Sequence, residues 1–220
     1  MILLFSGGLD SFIAYHYLGK PATVYFDLNT PYTAKEIKVV QKLIPNTVVE
    51  KVIDFSTRQI GKDAYVPYRN LHLALLANKY SNLIVMAGLA DDKVNDKNEK
   101  VFRQISYLMS DMMERTITVM SPFWKMTKEQ VVGWYLNIYQ GDPKDLLNTI
   151  SCYSPTKKTY CGSCPACFRR WCALRANGID VLPFHNLELL QEYLQKAKEG
   201  RHYIPERNAT IIREVERYLS

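Results

Sequence analysis

The chain has 220 residues, 47% of them hydrophobic, and its 28 basic and 22 acidic side chains give a formal net charge of +6. This length accommodates one α/β domain with an appendage and a substantial core. No segment approaches the roughly 20 apolar residues of a membrane span, and no basic stretch precedes the first apolar residues, so we expect a cytoplasmic protein without a signal peptide. The positive net charge suits an anionic partner such as a nucleotide or a nucleic acid. Because basic and acidic residues are mixed along the chain, the net charge does not distinguish between these functions.

Short apolar runs alternate with segments of helical periodicity over the first 150 residues. The predicted strands lie at 2–5, 23–27, 47–53, 83–87 and 116–120. The predicted helices lie at 9–18, 31–44, 70–80, 99–115 and 127–139. Two of these helices begin with a capping-box pattern, Thr33 with Glu36 and Thr127 with Gln130. Strands separated by helices are typical of a doubly wound parallel sheet, which binds ligands beyond the carboxyl ends of its strands.

The hexapeptide Ser6-Gly7-Gly8-Leu9-Asp10-Ser11 stands between the first predicted strand and the first predicted helix. Two glycines at such a junction let backbone N–H groups converge on an anion, and the helix N-terminus adds partial positive charge. The serines can donate further hydrogen bonds to phosphate oxygens, and Asp10 can hold a magnesium ion that bridges them. Because the pattern fits neither GxxxxGK[ST] nor GxGxxG, it predicts a different kind of phosphate site, with an ordinary tight turn as the alternative.

The composition changes after about residue 150, where cysteine, lysine and arginine crowd the segment 152–175. Two further helices are predicted, at about 186–198 and 205–219, and the second is interpreted as an amphipathic packing element. We therefore predict two domains. Residues 1–150 form an α/β domain that carries the candidate phosphate site, and residues 151–220 form a small helical subdomain with the clustered cysteines.

Four of the five cysteines fall within sixteen residues, as Cys152, Cys161, Cys164 and Cys167. Two-residue gaps in a tight turn let thiolates converge at zinc–sulfur distance, and four thiolates complete a tetrahedral shell with no open position. The pattern predicts a structural zinc that supplies folding free energy to a loop poor in apolar residues. An iron–sulfur cluster uses similar spacing, and a redox CxxC is a further alternative. Cys172 stands at helical spacing from Phe168 and is interpreted as a small buried residue.

The hexapeptide resembles the SGGxDS pyrophosphate loop of the N-type ATP pyrophosphatases, also called PP-loop enzymes. This resemblance implies an adenine nucleotide α-hydrolase-like fold and an ATP that is cleaved between its α and β phosphates. Three further motifs, taken in chain order, extend the resemblance to the QueC family. They are Val66-Pro67-Tyr68-Arg69-Asn70, then Ser121-Pro122-Phe123 with Met126-Thr127-Lys128-Glu129, and then Ser151-Cys152-Tyr153 with Cys161-Gly162-x-Cys164-x-x-Cys167-x-x-Arg170.

The resemblance to the QueC family implies an ATP-dependent C–N ligase that makes 7-cyano-7-deazaguanine. ATP adenylates the carboxylate of 7-carboxy-7-deazaguanine, ammonia forms the amide, and a second activation leaves the nitrile. ATP, Mg²⁺ and a structural Zn²⁺ are the implied cofactors, nucleic acid is not required, and a homodimer is expected. In this scheme residues 6–11 cradle the phosphates, Arg69 and Lys128 neutralise phosphate charge, and Asn70 caps its helix.

Two loops depart from the family pattern. Residues 26–30 replace a YGQRH-like motif, and residues 88–96 replace a longer substrate loop. Within the second loop Asp91, Asp92 and Asp96 are candidates to bind a guanine-like edge, and a solvated charged loop is the alternative. These departures leave open whether the reaction stops at the amide or uses another carboxylate.

Two other functions compete with the ligase. A tRNA-thiolating sulfurtransferase would use the same adenylation beside a basic patch formed by Lys157, Lys158, Arg169, Arg170 and Arg175. A nucleotide-binding module without turnover is the third reading. The histidines carry no catalytic signal, because those on predicted helices stand among apolar residues.

Overall fold

A computed structural model describes residues 1–51, 54–55, 66–92, 94–154, 159–201 and 204–220. Within them the chain forms five strands and nine helices. The strands are β1 (Ile2–Leu4), β2 (Ala22–Asp27), β3 (Val48–Lys51), β4 (Leu83–Val85) and β5 (Thr118–Met120). The helices are α1 (Leu9–Tyr17), α2 (Thr33–Leu43), α3 (Arg69–Ala77), α4 (Glu99–Met113), α5 (Lys128–Asn137), α6 (Pro143–Asn148), α7 (Pro165–Arg175), α8 (Leu187–Lys198) and α9 (Pro205–Leu219).

The strands form one parallel sheet in the order β3-β2-β1-β4-β5. This arrangement confirms the predicted α/β class with a five-stranded parallel sheet. The strand order reverses at β1, which pairs with β2 on one side and β4 on the other. Ligands of such sheets bind in the crevice beyond the carboxyl ends of the strands at this switch point. The residues that follow β1 are therefore placed for binding.

Apolar side chains cover both faces of the sheet. Leu3 points into a cluster shared with α1, α5 and α7, whereas its neighbour Ile2 joins a second cluster shared with α3 and α4. The alternation follows from the two-residue period of a strand. A third cluster joins α7, α8 and α9 around Phe168 and Trp171. Each large aliphatic side chain buried in this way contributes about 1.5–3 kcal/mol relative to exposure.

The local signals at helix ends had mixed outcomes. The capping box of Thr127 and Gln130 is confirmed, with both reciprocal hydrogen bonds present. The predicted box at Thr33 is wrong, because Thr33 accepts a hydrogen bond from the Thr30 N–H and Glu36 binds elsewhere. Helix α6 was not predicted, although the N-cap pattern of Asp142 before a proline is typical of a helix start. The predicted third strand extends to 53, and residues 52 and 53 lie outside the described part.

Helix α7 ties the C-terminal segment to the sheet. Its residues Ala173 and Leu174 belong to the same cluster as Leu3, and Arg170 donates to the carbonyl oxygens of Leu146 and Thr149 at 2.9 and 2.8 Å. The division into domains at about residue 150 stays a prediction. Among the described helices, none combines the length and apolar character that a membrane crossing requires.

Candidate functional site

A cavity of about 300 Å³ opens beyond the carboxyl ends of β1, β2 and β4. Its wall comprises the loop after β1, one side of α2, the starts of α3 and α5, and two residues of α7. This volume lies at the lower end of the range for small-molecule sites. The polar and charged residues of the lining are Ser6, Asp10, Ser11, Tyr25, Thr30, Tyr32, Thr33, Glu36, Arg69, Asn70, Asp92, Lys97, Lys128, Ser151, Tyr153 and Arg169.

The loop after β1 is shaped by contacts within itself. Gly7 has a φ of +69°, which a side chain rarely adopts, and a Cβ there would approach the Val39 Cγ1 to 3.1 Å. The Ser6 and Ser11 hydroxyl oxygens lie 3.2 Å apart, and the Ser11 hydroxyl donates to the Gly8 carbonyl at 3.0 Å. No side chain caps the first N–H groups of α1. The loop therefore presents hydroxyl and backbone donors at a helix N-terminus, an arrangement that suits an anion.

Lys128 faces this loop across the cavity. It is the first residue of α5, its side chain is 8% exposed, and its ammonium group forms an ion pair with the Asp10 carboxylate. Burial lowers the pKa of Lys128, and the charge of Asp10 opposes that shift. Asp10, predicted to hold magnesium, thus binds a lysine within the described residues, and its role toward a metal stays a prediction.

Two arginines complete the positive wall. Arg69 is the first residue of α3, one position before the predicted helix start, and Arg169 reaches the cavity from α7. The Arg169 guanidinium lies 2.8 Å from the Asp92 carboxylate. On sequence grounds Arg169 belonged only to a basic patch. One feature of the sequence did indicate that Arg169 could reach the cavity. Arg169 lies two residues after Cys167, and a helix that begins at a cysteine cluster presents its next side chains in directions fixed by that cluster.

Asp91 and Asp92 do not form a solvated loop. The side chain of Asp91 is 0% exposed and lies 3.5 Å from the Arg207 guanidinium and 3.7 Å from that of Arg169. Asp92 lines the cavity and also binds Lys97 at 2.8 Å. Although burial opposes its ionisation, Lys97 and Arg169 hold the pKa of Asp92 below its usual range. The alternative of a solvated loop is wrong for these two residues, whereas their role toward a substrate stays a prediction.

Asp96 serves the start of α3. Its carboxylate accepts hydrogen bonds from the Asn70 N–H at 3.2 Å and from the Asn70 side-chain amide at 3.0 Å. Asn70 is the second residue of the helix, which begins after Tyr68. The prediction that Asn70 caps this helix is therefore wrong. The cap comes from a residue 26 positions later in the chain.

Glu36 and Tyr25 form a polar pair on the cavity wall that sequence patterns did not indicate. The Tyr25 hydroxyl donates to the Glu36 carboxylate at 2.7 Å. Burial raises the pKa of Glu36 to about 7 and raises the pKa of Tyr25 well above its usual value. The capping-box pattern at Thr33 predicts that Glu36 forms a hydrogen bond within its own helix. In the structure α2 packs on β2, and the partner of Glu36 is Tyr25.

The four clustered cysteines converge as predicted. The sulfur atoms of Cys152, Cys161, Cys164 and Cys167 all lie within 4.8 Å of one another. The sulfurs of Cys161 and Cys167 are 3.8 Å apart. This equals the edge of about 3.8 Å that a tetrahedron with 2.3 Å zinc–sulfur bonds requires. Because the cysteines of an iron–sulfur cube bind separate irons and stand farther apart, the arrangement fits a single tetrahedral ion such as zinc.

The four-cysteine cluster lies beside the cavity, and its cysteines do not line it. Cys164 caps α7 by accepting the Cys167 N–H at 3.4 Å, so the helix that carries Arg169 starts inside the cluster. Cys152 stands between Ser151 and Tyr153, which line the cavity. None of the five cysteines belongs to the lining, and Cys172 is fully buried, as interpreted from the sequence. Lys157 and Lys158 of the proposed basic patch lie outside the described residues.

A phosphate-type loop at the switch point of a parallel sheet, beside a four-cysteine metal site, defines a narrow class of α/β proteins. A family model described as Queuosine biosynthesis protein QueC matches residues 22–178. The chain belongs to the QueC family, which confirms the predicted resemblance. The matched range includes Arg69, Lys128 and the four cysteines, whereas the loop after β1 precedes it.

Curated relatives of the chain carry consistent names. The 7-cyano-7-deazaguanine synthase of Rickettsia akari (strain Hartford) is 26% identical over 221 residues, which covers 81% of this chain and 96% of that protein. The synthase of the same name from Rickettsia prowazekii (strain Madrid E) is 27% identical over 219 residues, with 80% and 95% coverage. The 7-cyano-7-deazaguanine synthase 2 of Sulfurisphaera tokodaii is 28% identical over 225 residues, with 84% and 48% coverage.

Proposed function

We propose that this protein is an ATP-dependent ligase that converts 7-carboxy-7-deazaguanine into 7-cyano-7-deazaguanine with ammonia as the nitrogen donor. The observation that carries the proposal is the loop after β1, which shares one cavity with Arg69, Lys128 and Arg169. Hydrogen-bond donors and four cationic side chains, these three and Lys97, line one cavity and suit a triphosphate together with an acidic substrate. The names of the relatives give 7-cyano-7-deazaguanine as the product, and the acid with the same ring is the proposed substrate.

The reaction needs two activations of one carbon. In the first, a carboxylate oxygen attacks the α-phosphorus, the bond to the β-phosphate oxygen breaks, and pyrophosphate leaves. Ammonia then adds to the acyl adenylate, loses a proton and expels AMP, which leaves the amide. The amide oxygen attacks a second ATP in the same way, and loss of AMP and of the two nitrogen-bound protons gives the nitrile. Negative charge develops on the departing pyrophosphate and AMP oxygens, and cations held in place offset it.

The residues of the cavity divide these tasks. Ser6, Gly7, Gly8 and Ser11 supply hydroxyl and backbone donors to the phosphates. Arg69, Lys128 and Arg169 neutralise the triphosphate and the leaving pyrophosphate. Magnesium would supply further positive charge to the phosphates, and the Asp10 carboxylate is the group proposed to hold it, since carboxylate oxygens are ligands that Mg²⁺ prefers. The Asp10–Lys128 pair keeps both groups at the loop before the nucleotide binds.

The position of the cysteines favours the ligase over the sulfurtransferase. Thiolation needs a cysteine that carries sulfur to the adenylated atom, and no cysteine lines the cavity. Four of the five are placed to share one ion. A homodimer that acts on small molecules, without a nucleic-acid requirement, completes the proposal.

Product analysis tests the proposed function directly. The full-length protein is incubated with ATP, Mg²⁺, ammonium and 7-carboxy-7-deazaguanine, and the products are identified by mass spectrometry. AMP, pyrophosphate and the nitrile are expected. Accumulation of the amide alone would identify the variant reaction, and absence of pyrophosphate with this acid would overturn the proposal. Ser6→Ala, which removes one loop hydroxyl, is expected to suppress pyrophosphate release without changing the fold.

A further inference from the structure

Glu36 is a carboxylate in the cavity that the proposed mechanism does not use. It lies on α2 and belongs to the lining, and one of its oxygens accepts the Tyr25 hydroxyl at 2.7 Å. Neither a lysine, an arginine nor a histidine of the described residues forms an ion pair with it. Burying a carboxylate without a cation is costly unless a ligand supplies hydrogen-bond donors.

The charged and titratable groups that act on Glu36 come from three elements. They are Tyr25 and Asp27 of β2, Lys35 of α2 itself and Arg69 of α3. The Tyr25 hydroxyl occupies only one of the lone-pair positions of the carboxylate, which can accept about four hydrogen bonds in all. The site therefore keeps the capacity to accept two N–H groups from a ligand in the cavity.

The position of Glu36 relative to the phosphate loop is set by α2. Val40 lies one helical turn after Glu36, and its Cγ2 atom is 3.3 Å from the place where a Cβ of Gly7 would stand. Four residues rise about 6 Å along the helix axis. A planar bicyclic base has a comparable width, so one edge of the base can meet Glu36 while the substituent on its other ring reaches the loop.

We infer that Glu36, oriented by Tyr25, binds the N–H edge of the deazaguanine ring and selects a guanine-type acid as the substrate; this inference rests on the proposed function. The pyrimidine ring of such a base presents two adjacent donors, the ring N–H and the exocyclic amine, and a carboxylate matches both. An adenine edge places an acceptor beside its amine, which a carboxylate repels. Burial raises the pKa of Glu36 to about 7, and two N–H donors from the base would stabilise the charged carboxylate and lower that pKa on binding.

In this proposal the base is bound by Glu36 of α2, and not by the loop after β4. Asp91 and Asp92 were the sequence-based candidates, and each already binds arginine. Asp96 caps α3. Glu36 retains a free acceptor capacity inside the cavity, which is the property that recognition of an N–H edge needs.

Binding measurements on Glu36→Gln test the inference. Titration calorimetry without ATP compares 7-carboxy-7-deazaguanine with the analogue that lacks the exocyclic amine. The wild-type protein is expected to bind the parent acid more tightly than the analogue, and Glu36→Gln is expected to bind the parent roughly tenfold to a hundredfold more weakly with little remaining preference for the amine. The KM for ATP should not change. Glu188→Gln, an exposed change on α8, is the matched control.

The outcomes separate the two proposals. Unchanged affinity for the parent acid in Glu36→Gln, or a raised KM for ATP with unchanged affinity for the acid, would overturn the role of Glu36. Wild-type protein that binds the acid without releasing pyrophosphate would overturn the proposed function and leave the role of Glu36 intact. Tyr25→Phe provides a second variant should Glu36→Gln fail to fold, with a smaller loss of affinity and the same loss of preference for the amine. Retention of the full preference in Tyr25→Phe would count against an orienting role of Tyr25.

Discussion

The loop after β1 and the loop after β4 lie at the same edge of the sheet, but different interactions hold them. The first is held by bonds among Ser6, Gly8 and Ser11, all within six positions. The second has local contacts of Asp92 with Leu89 and Lys97, but its two buried carboxylates also bind Arg169 and Arg207, which lie on α7 and α9 more than 70 positions away. A loop whose hydrogen bonds lie within its own residues can be recognised as a sequence motif. A loop that binds side chains of distant helices depends on how those helices pack.

Removal of the metal should destabilise the loop after β4 more than the loop after β1. Of the changes proposed for this protein, we expect it to lower the stability most. Cys164→Ser, or chelation, removes a ligand at the start of α7, and apparent binding free energies of structural zinc are on the order of 10 kcal/mol. The midpoint of thermal unfolding should fall clearly. Amide hydrogen exchange should increase in residues 89–92 before it increases in residues 6–8. Cys172→Ser on the same helix should keep the metal, measured by elemental analysis, and an unchanged midpoint for Cys164→Ser would contradict a structural ion.

Arg207→Met tests the anchor on α9. The side chain of Arg207 is fully buried between Asp91 and Glu129, and its loss leaves a buried carboxylate poorly paired. Breaking such a pair costs about 3–5 kcal/mol in the free energy of unfolding, which chemical denaturation measures. Adding Asp91→Asn should recover part of the loss. Arg217→Met, an exposed change on the same helix, should be nearly neutral, and equal effects of the two arginine variants would refute the anchor.

Lys128→Met tests the charge that faces the first loop. Removing one positioned group that stabilises charge in the transition state lowers kcat by roughly 10²–10³-fold, and the rate of pyrophosphate release reports it. Lys125→Met, three residues earlier and exposed, is the control. An unchanged rate of pyrophosphate release in Lys128→Met would show that Lys128 does not stabilise the phosphates of the nucleotide.

The pH dependence of stability gives the smallest expected effect. The pKa of Glu36 is raised from 4.5 to about 7 in the folded protein. Between these values the folded chain retains a proton that the unfolded chain releases, so the contribution of Glu36 to stability declines as the pH rises through this window. Relative to wild type, Glu36→Gln should therefore gain stability between about pH 4.5 and pH 7 in denaturant titrations, with little further gain above that range. A parallel pH profile for both proteins would show that Glu36 titrates normally.

Features with local causes could be predicted from the sequence. The turn after β1, the four cysteines and the parallel sheet each depend on residue types at short, regular spacing. The prediction failed where a side chain prefers a distant partner to the local one. Thr33 and Glu36 have the spacing of a capping box, yet Tyr25 takes the carboxylate. Arg169 was assigned to a basic patch, and its spacing from Cys167 was the one local indication that α7 turns it toward the cavity.

The amino-acid sequence by itself determined the fold class, the strand-to-helix turn after β1 and the convergence of four cysteines, because period, glycine placement and cysteine spacing express local stereochemistry. Only the tertiary structure decided which charged side chains form ion pairs and which of them line the cavity. It buried Asp91 against Arg207, gave Asp92 to Arg169 and placed Glu36 in the cavity wall. Ion pairs between distant segments depend on how helices pack around the sheet, and packing is a property of the whole chain.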